Sequence, residues 1–294
     1  MASAQLRDTR RRIRSVEAIK KITRAMELIA TSRIPKAQAR VNASKPYTAK
    51  LIEVIENVGV AGAGTKHRLL EQREVKTVGL VIVTSDRGLA GSYASNIIRL
   101  AENRIRELDR EGKDVALYAI GKKAQAYFRY RGFRIDGAYL GVTDTPGYGD
   151  ARAVASAVLT AFATEHIDSV EVFFTRYRSA MNQLPTRLDL LPITPPDRAE
   201  REGPTATYEF EPSPEEILNR LLPRYVEATV FNVLLEASAS EHSARRRAMK
   251  AATDNAEDLI RVLSVQANRA RQAEITTAIS EIVGGAEALS EARR

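Results

Sequence analysis

The chain has 294 residues, of which 44% are hydrophobic and 6% aromatic, with no Cys and no Trp. That length suits one large domain or two smaller ones, and the lack of Cys excludes disulfides, thiol catalysis and thiolate metal sites. The net charge of +8 falls wholly in residues 1–56, which carry 13 Lys and Arg against 5 Asp and Glu, while the remainder carries 32 of each sign. Such a segment suits a polyanionic partner: nucleic acid, acidic lipid or an acidic protein surface.

The first predicted element is a helix over residues 4–58. Leu6, Ile13, Val16, Ile19, Ile22, Met26 and Ile29 recur at steps of three, four and seven, which makes a narrow stripe of coiled-coil type. Arg10, Arg11, Arg12, Arg14, Lys20, Lys21 and Arg24 form the opposite face. Pro35 and Pro46 are expected to kink or reset it, because each removes a backbone donor. The N-terminus lacks the apolar core of a signal peptide, and no apolar run reaches ~18 residues, so no membrane span is expected.

A strand pattern follows at 78–84, then at 115–120, 170–175 and 184–193, with helical patterns at 93–110, 121–131 and 150–164. Alternation of this kind predicts a small doubly wound α/β sheet. The first strand runs into Ser85-Asp86-Arg87-Gly88-Leu89-Ala90-Gly91-Ser92, where an α/β protein would cradle a phosphate. The segment matches neither G-x-x-x-x-G-K-[ST] nor G-x-G-x-x-G. It reads instead as a structural turn, with Ser85 or Asp86 capping, glycines at positive φ and Arg87 in a nearby ion pair. Asp144, Asp150, Glu165 and Asp168 have no pairing that marks acid–base chemistry and read as surface carboxylates. Ser85 and Ser92 lack a nucleophile signature, and His67, His166 and His242 are too scattered for a metal cluster.

Residues 194–212 read as an exposed loop with one short strand. Ser213 then caps a last helix that opens at Pro214 and should kink or break at Pro223. From Arg224 to Val283 there is neither Pro nor Gly. A helix of that length, roughly 90 Å, has to leave a globular domain and find a partner helix. Its stripe is apolar at Val226, Val230, Val233 and Leu234 and thins over 264–280, where Asn268, Arg269, Arg271 and Gln272 stand in place of Leu. A helix polar most of the way round is marginal in water, so this stretch is either frayed or enclosed by something else.

Three stretches together resemble the gamma subunit family of F-type ATP synthases: the basic helix 11–40 with its K-I-T-R-A-M core, the loop 83–97 with T-S-D-R-G-L, and the helix 243–289. There are departures. Ala90 stands where the family usually has Cys, Pro35 where a basic residue is common, and Glu274 where a small residue is usual. The resemblance implies an antiparallel coiled coil of the terminal helices (1–58 and 213–294) with a central Rossmann-like α/β domain (75–212). It implies a rotor that turns inside a ring of three alpha and three beta subunits, couples ion flow through the c-ring to ATP synthesis or hydrolysis at the beta sites, and binds the epsilon subunit. It implies no catalysis, cofactor, metal or nucleic acid in this chain. Location would be peripheral, on the cytoplasmic side of a bacterial plasma membrane, with membrane contact only through the c-ring. Lys21, Arg24 and Met26 match positions beside an acidic beta-subunit loop; Arg271, Gln272 and Thr276 match positions that hydrogen-bond a beta subunit. Asp86, Arg87, Gly88 and Gly91 match the structural loop. From the residues alone, a nucleotide-dependent enzyme on the central domain and a nucleic-acid-binding coiled coil remain the rival readings.

Overall fold

The computed structural model describes residues 2–61, 67–194 and 213–291. Its elements are α1 (Ala2–Ala61), β1 (Thr77–Val83), α2 (Tyr93–Arg110), β2 (Asp114–Ile120), α3 (Lys122–Tyr130), β3 (Ile135–Tyr139), α4 (Tyr148–Ala163), β4 (Ser169–Tyr177), β5 (Gln183–Leu191) and α5 (Pro214–Glu291), with a short 3-10 turn at Arg68–Leu70. Residues 195–212, most of the expected loop and its strand, lie outside the described residues. Among the described residues no helix is long and apolar enough to cross a membrane.

The sheet has the order β3-β2-β1-β4-β5. β1, β2, β3 and β4 run parallel, and β5 is antiparallel to β4. β1 reads as an unbroken apolar run because both its faces are covered. On one face Leu80, Ile82, Ile97, Leu108 and Phe128 pack with α2 and α3. On the other Val81, Val83, Val154, Phe162, Leu222 and Val226 pack with α4 and α5. β3 was not predicted: Ile135–Tyr139 is five residues long, contains Asp136 and Gly137, and lies at the sheet edge. Those residues disfavour strands, and edge pairing with β2 decides the matter.

The prolines do not break the helices. α1 is continuous through Pro35 and Pro46, and α5 through Pro223. A proline inside a helix costs ~3 kcal/mol, but here its neighbours are anchored. Ile34 and Val41 are buried on α1, and Leu222 and Val226 on α5; burial of each such side chain contributes roughly 1.5–3 kcal/mol. Ser213 does cap α5, since its Oγ accepts the Glu216 N–H at 3.3 Å.

The chain forms two compact units, Ala30–Arg245 and Met1–Ile29 with Arg246–Arg294. The larger holds the sheet, α2–α4 and the adjoining parts of α1 and α5. In the smaller, α1 and α5 run antiparallel: Thr23 meets Thr253 in a buried 2.8 Å hydrogen bond, and Lys20 meets Glu257 at 3.4 Å. The seam departs from the expected stripe. On α1, Leu6, Thr9, Ile13, Val16, Lys20, Thr23 and Glu27 are covered at alternating steps of three and four, with Asp8 and Met26 partly covered beside them. Ile19, Ile22 and Ile29 are more than half exposed. Facing positions on α5 are Met249, Thr253, Ala256, Ile260, Leu263, Ala267, Ala270 and Glu274, also at alternating steps of four and three. The expected stripe slid off this heptad after Val16 because it followed the largest apolar residues, whereas a 3.5-residue seam selects by position.

Candidate functional site

The residues matched to partner contact sit on the smaller unit. Lys21 and Arg24 are exposed on α1, and Arg24 bonds Glu27 at 2.8 Å. Met26 is half-buried beside the seam. On α5, Arg271, Gln272 and Thr276 are exposed, and Thr276 Oγ1 donates back to the Gln272 carbonyl at 3.0 Å. The seam takes α5 through Ala267, Ala270 and Glu274, which leaves Arg271 and Gln272 on the outward side. Leu259, Val262 and Val265 are likewise about half exposed. Small seam residues let the helices pair closely, while larger apolar and polar groups face away, free for another surface.

The loop after β1 is the second candidate. β2 and β3 lie to one side of β1 and β4 to the other, so the loop stands at the switch point where doubly wound folds bind ligands. Asp86 organises it. Its carboxylate accepts the Lys122 N–H at 3.2 Å and both the N–H and Oγ1–H of Thr143, at 3.2 and 3.1 Å. Asp86 therefore ties the starts of α3 and of the segment after β3, and does not cap α2, where Ser92 is the N-cap. Gly91 takes φ 59°, but the other positive φ in the turn belongs to Leu89 at 61°, and Gly88 is not left-handed. Arg87 is exposed and makes no direct ion pair among the described residues. Ser85 is buried, and its carbonyl accepts the Lys123 N–H. The closest approach is at Gly121 (φ 89°), where a Cβ would lie 2.9 Å from the Ser85 backbone.

The crevice beyond this loop is filled by the chain itself. Over Ala237–Arg245, α5 crosses the carboxyl edge of the sheet. The Ala237 carbonyl accepts Tyr93 Oη at 3.1 Å, Ser238 Oγ donates to the Asp144 carbonyl at 3.0 Å, Ser240 Oγ donates to the Thr175 carbonyl at 3.0 Å, and Arg245 reaches the Gly88 carbonyl at 3.3 Å. Arg33 of α1 binds the Asp144 carboxylate from the other side. Burial would raise the Asp144 pKa, but the bond and charge of Arg33, with His242 and Arg87, outweigh it and hold the carboxyl below its ordinary value. Burial lowers His242 against the pull of the Asp144 carbonyl and carboxylate. Glu241 is raised by burial although Arg245 bonds it at 2.5 Å.

The carboxylates read as free surface groups are mostly structural. Asp150 accepts the Gly147 N–H at 2.7 Å, and Asp168 accepts the Lys76 and Thr77 N–H groups, both at 2.9 Å. The cluster of Arg33, Asp144, Glu241, His242 and Arg245 was not anticipated, because its members lie about 100 and 200 positions apart and no local spacing announces them. The one available signal was the density of Ser, Glu, His and Arg in an otherwise apolar stretch of α5. Among the described residues no group of three His, Asp or Glu could hold a metal.

Residues 5–289 match a family model described as ATP synthase. An ATP synthase gamma chain from Frankia casuarinae is 51% identical, over 98% of this chain and 99% of that one. An ATP synthase gamma chain from Streptomyces griseus is 49% identical, over 98% and 97%. Among solved structures, a chain of the Euglena gracilis mitochondrial ATP synthase (OSCP/F1/c-ring, rotational state 3) shares the fold with TM-score 0.67 at 18% identity, over 99% of this chain and 97% of that one.

Proposed function

The chain belongs to the ATP synthase gamma-chain family, and from that premise we propose that it is the central rotor subunit of an F-type ATP synthase. It links ion flow through a membrane c-ring to ATP synthesis and hydrolysis in a surrounding alpha–beta ring. Residues 1–58 and 213–294 supply the coiled coil and 75–212 the central domain. ATP chemistry belongs to the alpha and beta subunits, and this chain supplies coupling. Filling of the switch-point crevice by α5 supports that division of labour, since a nucleotide would have to displace Ser238, Ser240 and Arg245 from their partners. Epsilon and the c-ring are the partners at the central domain. The chain sits peripherally, on the cytoplasmic side of a bacterial plasma membrane, and touches the membrane only through the c-ring.

The observation that carries the reading is the outward placement of Arg271 and Gln272 over a seam of Ala267 and Ala270. Neither side chain serves the helix pair, yet both are rich in donors, and Gln also accepts. Each bond to a surrounding subunit contributes about 0.5–1.5 kcal/mol net, or up to ~3 if charge-assisted. That biases one rotor orientation and still breaks at each step. Lys21, Arg24 and Met26 meet an acidic beta-subunit loop, and Thr276 adds a hydroxyl beside Gln272. The double change Arg271→Ala, Gln272→Ala is expected to leave the isolated chain equally helical and stable, because Ala is the better helix former. It should lower ATP turnover of the assembled complex sharply. Circular dichroism melts beside steady-state hydrolysis decide: unchanged turnover would refute the assignment.

A further inference from the structure

In the larger unit a cavity of about 380 Å³ opens between α1, the start of α4 and α5. Tyr47 and Thr48 line it from α1, Tyr148 from α4, and Arg224, Phe231 and Asn232 from α5. Three rings thus border one space. Tyr148 and Phe231 meet edge to face, with centroids 5.6 Å apart, and Tyr47 and Tyr148 are 51% and 41% exposed. Ring faces left open in this way are platforms for another flat ring.

The polar groups are unequally committed. Tyr148 Oη donates to Glu227 at 2.7 Å, and Thr48 Oγ1 points to the Ser44 carbonyl while accepting from Asn232 Nδ2 at 2.5 Å. Glu227 is further offset by Arg152 at 3.6 Å. The donors left over are the exposed Arg224 guanidinium and the Tyr47 hydroxyl, neither of which bonds a partner among the described residues. A free guanidinium beside stacked rings selects an acceptor-rich head group on an aromatic body. The volume is at the lower end of the range for small-ligand sites, ~300–1,000 Å³. We propose that this cavity is a binding site for a planar aromatic molecule that carries an anionic group, with the ring between Tyr47, Tyr148 and Phe231 and the anion on Arg224.

The probe is 8-anilino-1-naphthalenesulfonate, with its neutral analogue N-phenyl-1-naphthylamine as control. The chain has no Trp and ten Tyr, so excitation of Tyr and transfer to the probe report binding, and the two substitutions below locate it. Titration of the full chain should saturate at one probe per chain. Arg224→Glu should weaken the sulfonate at least tenfold and leave the neutral analogue within about twofold. Ala228, buried in the lining, offers the second variant: Ala228→Met fills the space and should weaken both probes, and circular dichroism melts verify that each variant folds. The difference between wild type and Arg224→Glu should persist in the assembled complex. No saturable binding, or binding indifferent to both substitutions, overturns the proposal. So does binding that the complex abolishes, since a neighbouring subunit then occupies the cavity.

Discussion

Asp86 holds the turn after β1 through a single carboxylate that receives donors from two other segments. Removing it strands the buried Thr143 N–H, at ~1–3 kcal/mol for an unmet donor, while the exposed Lys122 N–H can turn to water. Asp86→Ala should therefore cost about 2 kcal/mol, or roughly 5 °C in melting temperature for a domain of this size. Arg87→Ala should shift the melt of the isolated chain far less than Asp86→Ala, because its side chain is exposed, bonds no carboxylate and is the smallest of the named influences on Asp144. Differential scanning calorimetry of both variants separates the two roles. If Arg87→Ala destabilises the lone chain as much as Asp86→Ala, the division is wrong. At this scale the sequence revealed that a polar turn stood here, with Asp86 among its anchors. It could not reveal that Asp86 faces α3 and Thr143, because those partners lie 36 and 57 positions away.

At the scale of the element, α5 changes character along its length for two different reasons. Over Ala237–Ser243 it is buried on nearly every side by the sheet edge and α1, so its Ser, Glu and His residues need specific partners. Beyond Met249 coverage falls to a narrow stripe that recurs at steps of three and four. The first part makes stability sensitive to acid. The folded pKa of Asp144 is depressed, so its contribution is complete above the ordinary carboxylate value of ~3.9 and is lost as pH falls through the folded value. His242, lowered in the fold, contributes above its ordinary ~6.5 and loses that contribution as pH falls through its own folded value. Glu241 is raised and works the other way, gaining as pH falls. Asp144→Asn should thus lower the melting temperature at pH 7 and flatten its fall below about pH 4, where only the wild type still has this carboxylate to protonate. Melts from pH 3 to pH 7 check the slope; parallel curves for both proteins would show that the Arg33–Asp144 pair is not the source.

At the scale of the whole molecule, function depends on what the helices present outward. Met26 lies beside a seam that already carries Lys20, and its outward neighbours Lys21 and Arg24 are cations. If an acidic beta-subunit loop faces this side of α1, as proposed above, Met26→Lys adds another cation toward it. An extra ion pair formed only at some rotor angles deepens one state, and a motor needs nearly level states. Assembly and ATP hydrolysis should survive while ion pumping per ATP falls. Paired measurements of hydrolysis and pumping in membrane vesicles test this, and an equal ratio in mutant and wild type counts against it.

Local pattern determined most of the elements: a basic first helix, the alternating strands and helices of an α/β core and a long helix after Arg224 follow from periodicity, because secondary structure obeys the spacing of apolar residues along the chain. The family was legible too, since its three motifs are contiguous stretches. Three things were decided only by tertiary packing. Burial of Ile34, Val41, Leu222 and Val226 carried the helices through their prolines. Pairing with β2 made a strand of a weak edge segment. Contact between α1 and α5 drew the seam through Lys20, Thr23 and Glu27 and turned Ile19, Ile22 and Ile29 outward. A sequence records how apolar each side chain is, but which face of a helix is covered depends on the partner helix, and that partner lies some 230 residues away.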